Sequence, residues 1–479
     1  MSCSVSRHEM RPARRGKMSL IIPVENQVRE LDPKLLLACV AARRGFSTII
    51  GSHRSIDLRI ASLPRSLYLC KSFTVMNLKM FRIIHRLGHR ILSWDEEALI
   101  HLPAEMYFSR RLSPLTLPYV SRLFAWGSDN VDLWRCYPMM PGQMPIHATG
   151  NPRGDMLRPE ISPFYREEAR ALRARHGAFI LVNTNFNHVN AFYPAQNLFH
   201  PASLEQGEPL FGKAARGMSM AFAQRLHRHK LALFRQFQAL IPALERAFPE
   251  LNIVIRPHPT ESPGPYQAIA ARSRRVQVTN EGNVVPWLMA TRALLHHGCT
   301  TGVEAFAMGV PAISYRPVTD PVIDDGFYHL AHRLSHQCFD REELESRLGE
   351  ILSGRTGAVD GSERRFLLKQ YMAAQEGPLA SERILDTLEQ CLDSGEPEPL
   401  PPLPSLVSGH LLSRGRRVVK WAKQYLPGSH APPAFHRYRF PGTDRADLQQ
   451  RLQRLQRLLG DEVPLQVERL HDQVFRISA

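Results

Sequence analysis

Short apolar runs alternate with amphipathic stretches along most of this chain, and that alternation limits what it can fold into. Strands separated by helices pair in parallel and are covered on both faces. SLIIPV (19–24) reads as a buried strand, LDPKLLLACVAARRG (31–45) as a helix closed by Gly45, and FSTIIG (46–51) as a second strand. RILSW (90–94) and SRLFAW (121–126) follow, and this first α/β unit ends near TGNPRGD (149–155). A second unit starts with the strand AFILVNTN (178–185) and continues through a long helix over 218–247. Strand NIVIRP (252–257), helix 262–272, strand RVQVTN (275–280), helix PWLMATR (286–292) and strand ALLHH (293–297) complete its pattern. A helix over 363–393 is expected to cross back and brace the first unit. Two Rossmann-like lobes facing a central cleft are expected, without a GxGxxG fingerprint, and strand C-termini would line that cleft.

The predicted domains are a disordered basic arm (1–17), an N-terminal lobe (18–160) and a C-terminal lobe (161–394). A proline-rich linker (395–410) and a basic helical extension (411–479) follow. EPEPLPPLP (396–404) is the semi-rigid part of the linker. Segment 411–440 carries seven Lys or Arg and no Asp or Glu, interleaved with Trp421, Tyr425, Phe435, Tyr438 and Phe440. Leu448, Leu452, Leu455 and Leu459 form one helical stripe, suited to self-association or docking.

Lys plus Arg number 61 against 45 Asp plus Glu, a formal charge of +16. That balance points to an anionic partner: nucleic acid, a membrane surface or a phosphorylated substrate. The seven cysteines are scattered with no CxxC, which fits a reducing cytoplasm. No apolar run approaches the roughly 18 residues of a spanning helix. The first twenty residues are basic but lack the apolar stretch of a secretory signal, and Met18 is a candidate start.

Several motifs carry chemistry. In GCTTGVEA (298–305), Gly298, Thr300, Thr301 and Gly302 bring small or hydroxylated residues to the top of a strand where a helix begins, an anion site in outline. Thr300 and Thr301 would cap that helix, and Glu304 in its first turn would accept a ribose hydroxyl or serve the backbone as a capping acid. RPHP (256–259) places Arg256 and His258 on a proline-stiffened loop suited to phosphate or carboxylate, or else makes a turn with a partly buried histidine. NTNFNHVN (183–190) offers Asn183 and Asn185 to sugar hydroxyls or a diphosphate, though an Asn-rich turn is equally a structural device. SWDEE (93–97) sets Asp95, Glu96 and Glu97 at a strand end. One of them would be a general base or nucleophile, with Glu97 first and Asp95 next; the bland alternative is a set of helix N-terminal acids. TGNPRGD forms an inter-lobe loop in which Gly150 and Asn151 approach the cleft, while Arg153 and Asp155 pair with each other. No DxD triplet occurs, and the 21 histidines read as scattered, so no metal and no cofactor are expected.

The ordered set SWDEE, FAWG, TGNPRGD, LVNTNFN, RPHPTE, NVVPWL and GCTTGVEA with a following SYRP resembles the surface carbohydrate biosynthesis proteins over about residues 18–390. More broadly, the motifs look like the two-lobed GT-B superfamily, which includes bacterial Kdo transferases, capsule transferases and teichoic-acid glycerophosphotransferases. The resemblance implies a nucleotide-sugar donor on the second lobe, CMP-activated in preference to UDP-activated. His258 and the Thr300–Thr301 loop would meet its phosphate and Glu304 its ribose. The acceptor, a lipid-linked glycan, and the catalytic carboxylate would belong to the first lobe.

The leading expectation is therefore a cytoplasmic, metal-independent GT-B-like glycosyltransferase. It would extend or cap capsule or lipopolysaccharide, with a ulosonic acid such as Kdo as a possible donor sugar. It would sit on the inner face of the bacterial membrane through 411–440, with no nucleic-acid partner. Rival readings are a sugar-nucleotide epimerase, a glycerophosphotransferase on the same fold, and a non-catalytic scaffold that binds membrane or nucleic acid.

Overall fold

The computed structural model describes residues 19–205, 207, 209–393, 400–423 and 433–479. The expected arm at 1–17, residues 395–399 of the linker and Tyr425 lie outside them. In chain order the strands are β1 (Ser19–Val24), β2 (Thr48–Ser52), β3 (Ser66–Cys70), β4 (Arg90–Ser93), β5 (Val120–Phe124), β6 (Ile146–His147) and β7 (Phe179–Asn183). They continue with β8 (Asn252–Arg256), β9 (Val276–Val278), β10 (Ala293–His296), β11 (Ala312–Tyr315), β12 (His336–Cys338), β13 (Gln466–His471) and β14 (Val474–Ser478). Two compact units form. One takes the chain up to Cys70, Arg82–Leu92 and Leu385 onward; the other takes Lys71–Phe81 and Ser93–Ile384.

In the first unit the strands run in the order β13-β14-β2-β1-β3-β4. Leu20, Ile21, Ile22 and Val24 are all fully buried, the uniform apolar pattern of a strand covered on both faces. β1 pairs in parallel with β2 and β3. The C-terminal hairpin β13–β14 was not anticipated in what was read as a wholly helical extension. β14 runs antiparallel along β2, with Phe475 opposite Ile50. Its turn presses so close that a Cβ on Gly51 would stand 2.1 Å from the Gln473 carbonyl oxygen. The leucine stripe is also used within the chain. Leu448, Leu452 and Leu455 are fully buried in the helix Arg445–Leu459, which packs on the helix Gln27–Arg43, and Arg451 pairs with Asp32 at 2.7 Å. Asp444 starts the stripe helix by accepting the Asp447 amide at 2.8 Å.

The proline-rich linker is shorter than expected, because a helix already runs over Leu403–Lys423. Pro404 is tolerated in its first turn, where no intrahelical donor is required.

In the second unit β5 and β6 pair in parallel, and a six-stranded sheet runs β12-β11-β10-β7-β8-β9. All five pairings in that sheet are parallel. Numbered from β7, the order is 3-2-1-4-5-6, the doubly wound arrangement in which the strand order reverses between β7 and β10 while every strand stays parallel. Side chains alternate as a pleat demands. Ile180 and Val182 pack with Phe237, Leu240 and Ile253 on one face, and Phe179 and Leu181 pack with Val254, Trp287 and Leu294 on the other.

The single helix expected over 363–393 is two, Ser362–Tyr371 and Ala380–Asp393. Gly377 and Pro378 lie between them, and proline removes a backbone donor and disfavours helix at the residue before it. Asp155 holds the start of the second helix. It accepts from the Ala380 amide at 2.7 Å, the Ser381 amide at 2.9 Å and the Ser381 hydroxyl at 2.8 Å. Burial raises its pKa to about 6 in spite of those donors. Asp155→Ala is expected to lower the unfolding free energy by about 2 kcal/mol, the upper end for a lost helix cap, as a reduced urea midpoint at unchanged slope. A loss below about 0.5 kcal/mol would contradict this role.

Candidate functional site

The motifs singled out in the sequence fall in the second unit, and four of them meet at Arg153. Its guanidinium donates to the Glu304 carboxylate at 2.8 Å and to the Glu96 carbonyl at 3.4 Å, and it lies 3.9 Å from the Glu96 carboxylate. It also stacks 5.3 Å from the ring centroid of Trp126. SWDEE, FAWG, GNPRGD and TTGVEA thus share one cation. Arg153 is not paired with Asp155, contrary to the sequence reading, because Asp155 turns to the helix start at Ala380. Asn151 caps the short helix Pro152–Asp155 by accepting the Arg153 amide at 3.0 Å, and the preceding Gly150 donates to the Ala125 carbonyl at 3.1 Å.

The three acids of SWDEE have different fates. Asp95 is 1% exposed. It accepts from Tyr107 at 2.7 Å, from Arg111 Nε at 2.9 Å and from the Glu97 amide at 3.1 Å. Its carbonyl receives the Trp126 indole at 2.8 Å. Burial, then the Asp95 charge, pushes the Tyr107 phenol well above its ordinary pKa. Glu96 is buried and accepts the Trp94 indole at 3.0 Å. Glu97 is exposed. The chain turns at once after Trp94, with the Ala98 amide on the Asp95 carbonyl, so the alternation of an extended strand does not apply.

At the β7/β10 switch the loop after β10 approaches the loop after β7. Asn185 donates to the Gly298 carbonyl at 3.1 Å. Gly298 takes φ +57°, and a Cβ there would stand 2.3 Å from the Tyr328 ring. The helix Thr300–Ala307 begins at Cys299, whose side chain makes no cap hydrogen bond. Thr300 and Thr301 are therefore its first two residues and not its caps, and the Thr301 hydroxyl donates to Cys299 Sγ at 3.1 Å. Glu304 stands beyond the first turn, buried and held by Arg153 at 2.8 Å, so no capping box is formed. Asn183 ends β7 in the interior, and its Oδ1 has no hydrogen-bond partner among the described residues.

RPHP divides between structure and surface. Arg256 donates to the Glu281 carbonyl at 2.6 Å and the Gly282 carbonyl at 2.9 Å, and it stacks 4.9 Å from the centre of Trp287. Burial lowers its pKa to about 10. Its donors brace the turn before the helix Val284–Ala290. His258 is half-buried, with Nδ1 2.9 Å from the Thr260 hydroxyl.

Sequence reasoning missed the groups that join these loops. Glu261 accepts from Thr184 at 2.8 Å, the Phe186 amide at 3.0 Å and Tyr266 at 2.5 Å, so it ties RPHPTE to NTNFN. Lys230 is fully buried. It donates to Asn185 Oδ1 at 3.0 Å and lies 4.3 Å from the centre of Tyr328. Burial lowers its pKa to about 7. The sequence signal was available: Lys230 interrupts the stripe Leu226, Leu233 and Phe237 on the apolar face of a long helix. The expectation of scattered histidines is also corrected. His229, His297 and Asp324 bring ligand atoms within 4.8 Å of one another, and HLAH (329–332) adds a short-range pair that the scattered reading overlooked.

Among solved structures the chain is similar to the wall teichoic acid polymerase TagF, at 9% identity over 78% of this chain and 89% of that one, with a TM-score of 0.49. It is similar to UDP-GlcNAc 2-epimerase from Neisseria meningitidis bound to UDP-GlcNAc, at 12% identity over 78% and 100%, with a TM-score of 0.44. It is also similar to HepE from Anabaena in complex with UDP and glucose, at 10% identity over 79% and 100%, with a TM-score of 0.39. No family model matches the chain. No curated protein matches it, so the resemblance to surface carbohydrate biosynthesis proteins rests on the quoted motifs alone.

Proposed function

We propose that the second unit binds a nucleotide-sugar donor and that the protein is a GT-B-type glycosyltransferase of surface polysaccharide assembly. The observation that supports this most is the 3-2-1-4-5-6 parallel sheet with Asn185, Gly298 and Thr300 at its switch point. Ligands of open α/β sheets bind at that reversal. The start of the helix Thr300–Ala307 supplies amide donors and a positive dipole end for the leaving phosphate. The charge that develops on the leaving group would be met by these fixed dipoles. A CMP-linked sugar is the favoured donor and a lipid-linked glycan the acceptor. Titration calorimetry with CMP, CDP and UDP, without added divalent metal, tests the reading. A cytidine or uridine nucleotide is expected to bind, and at about a hundredfold excess over Kd it should stabilise the fold by about 2.7 kcal/mol. No binding of any of the three would overturn it.

Within this reading Glu97 is the acid exposed at the surface where an acceptor would arrive, since Asp95 and Glu96 are buried and bonded. Glu97→Gln should lower turnover about a hundredfold, the low end of acid–base catalysis, with nucleotide affinity unchanged. Unchanged turnover would move the role off Glu97.

The helix Leu403–Lys423 supports membrane attachment. It carries Arg414, Arg416, Arg417, Lys420 and Lys423 with no acid, and leaves Leu403, Leu411, Val418 and Trp421 exposed. Among the described residues no helix is long and apolar enough to cross a membrane. Basic groups beside exposed aromatic and aliphatic ones suit an anionic bilayer surface. Arg417→Ala, Lys420→Ala and Trp421→Ala together should reduce sedimentation with phosphatidylglycerol vesicles and leave nucleotide binding intact. Equal sedimentation would assign membrane contact elsewhere.

A further inference from the structure

We propose that the second unit holds a divalent transition-metal ion, zinc by its donor set, between His229, His297 and Asp324. Nothing in the motif pattern assigns this site, and it is independent of the nucleotide reading. His229 comes from the helix Met220–Ala247, His297 follows β10, and Asp324 lies in the helix Pro321–Phe327. Their candidate ligand atoms lie within 4.8 Å of one another, and the three residues are 4%, 1% and 0% exposed. Both ring nitrogens of His229, both of His297 and Asp324 Oδ1 lack a hydrogen-bond partner among the described residues. Buried polar atoms are nearly always satisfied, so unsatisfied donor atoms of three buried residues, one from each within 4.8 Å of the others, indicate a ligand there.

The surroundings orient the donors. Arg316 donates to the other Asp324 oxygen at 3.0 Å, and the Asp320 amide does so at 2.9 Å, which leaves Oδ1 facing His229 Nε2 at 3.4 Å. His332 adds a third imidazole. Its Nδ1 is engaged by Ser314 at 2.7 Å, and its Nε2 is directed at Asp324 Oδ1, 3.7 Å away. An outer hydrogen bond on the far ring nitrogen is how ligating histidines are held. Imidazole nitrogens with one carboxylate oxygen favour zinc and its d-block neighbours. Magnesium and calcium require oxygen ligands.

The test uses the full chain expressed with zinc supplementation and dialysed against metal-free buffer. Plasma mass spectrometry should find about one zinc per chain. Cobalt added to chelator-stripped protein should give the intense visible bands of a low-symmetry, nitrogen-ligated ion. His229→Gln and His297→Gln should each reduce bound zinc severalfold. Wild-type protein free of zinc and lacking cobalt bands would overturn the proposal. So would folded variants that keep full zinc content, which would place the ion on surface histidines. If neither variant folds, the wild-type cobalt spectrum decides.

Discussion

Arg153→Met is expected to lower the unfolding free energy by about 3–5 kcal/mol, the cost of breaking a buried ion pair by removing one partner. The variant would leave Glu304 and Glu96, 6% and 3% exposed, without their shared cation. Methionine keeps an unbranched apolar stem in place of the arginine stem and removes the charged head, so the loss would be chiefly electrostatic. Adding Glu304→Gln should recover part of it, because a neutral amide does not require the guanidinium; a strictly additive double variant would refute the pairing. Because Arg153 also stacks on Trp126, the single variant should shift tryptophan fluorescence in the native state. Guanidinium chloride unfolding followed by fluorescence would read both effects.

Gly298→Ala is expected to cost about 3 kcal/mol, combining left-handed backbone strain with overpacking. Its Cβ would stand 2.3 Å from two ring carbons of Tyr328 and 2.6 Å from the Tyr328 Cβ, so rotating the ring does not relieve the contact. The loop would have to shift, and the Asn185 bond to the Gly298 carbonyl would shift with it. Nucleotide affinity should fall at least tenfold. Truncating Tyr328 to alanine alongside should restore some stability, since the ring contacts disappear while the strained φ remains. Unchanged nucleotide affinity in Gly298→Ala would separate this loop from the binding site.

The strands were legible wherever they were buried on both faces. SLIIPV and NIVIR needed no tertiary information, because uniform apolar content marks an interior parallel strand. The hairpin at Gln466–Ser478 was not legible. Gln466, Glu468 and Arg469 make half of β13 polar, and the hairpin's place is set by the edge of β2 and not by its own pattern. The site was legible as a set of motifs but not as a network. SWDEE, GNPRGD and GVEA were each identified, yet Arg153 was assigned to its near neighbour Asp155, when its partner is 151 residues away. Sequence spacing ranks local pairs first, whereas ion pairs between elements depend on sheet order. The histidine cluster was missed for the same reason: its three members come from three separate elements.

The split composition of the first unit has a consequence for synthesis. Its early strands are made before Ser93, but the hairpin that covers β2 is made after Ile384. More than 400 residues separate β2 from β14, so at roughly 5–20 residues per second on the ribosome about 20–85 s pass between them. Throughout that interval the outer edge of β2, with Ile49 and Ile50, lacks the strand that later pairs with it. An open edge of this kind recruits other strands. The nascent chain should therefore depend on chaperones most while the second unit is being translated, and substitutions that weaken β14 should reduce soluble yield more than they reduce the stability of protein already folded.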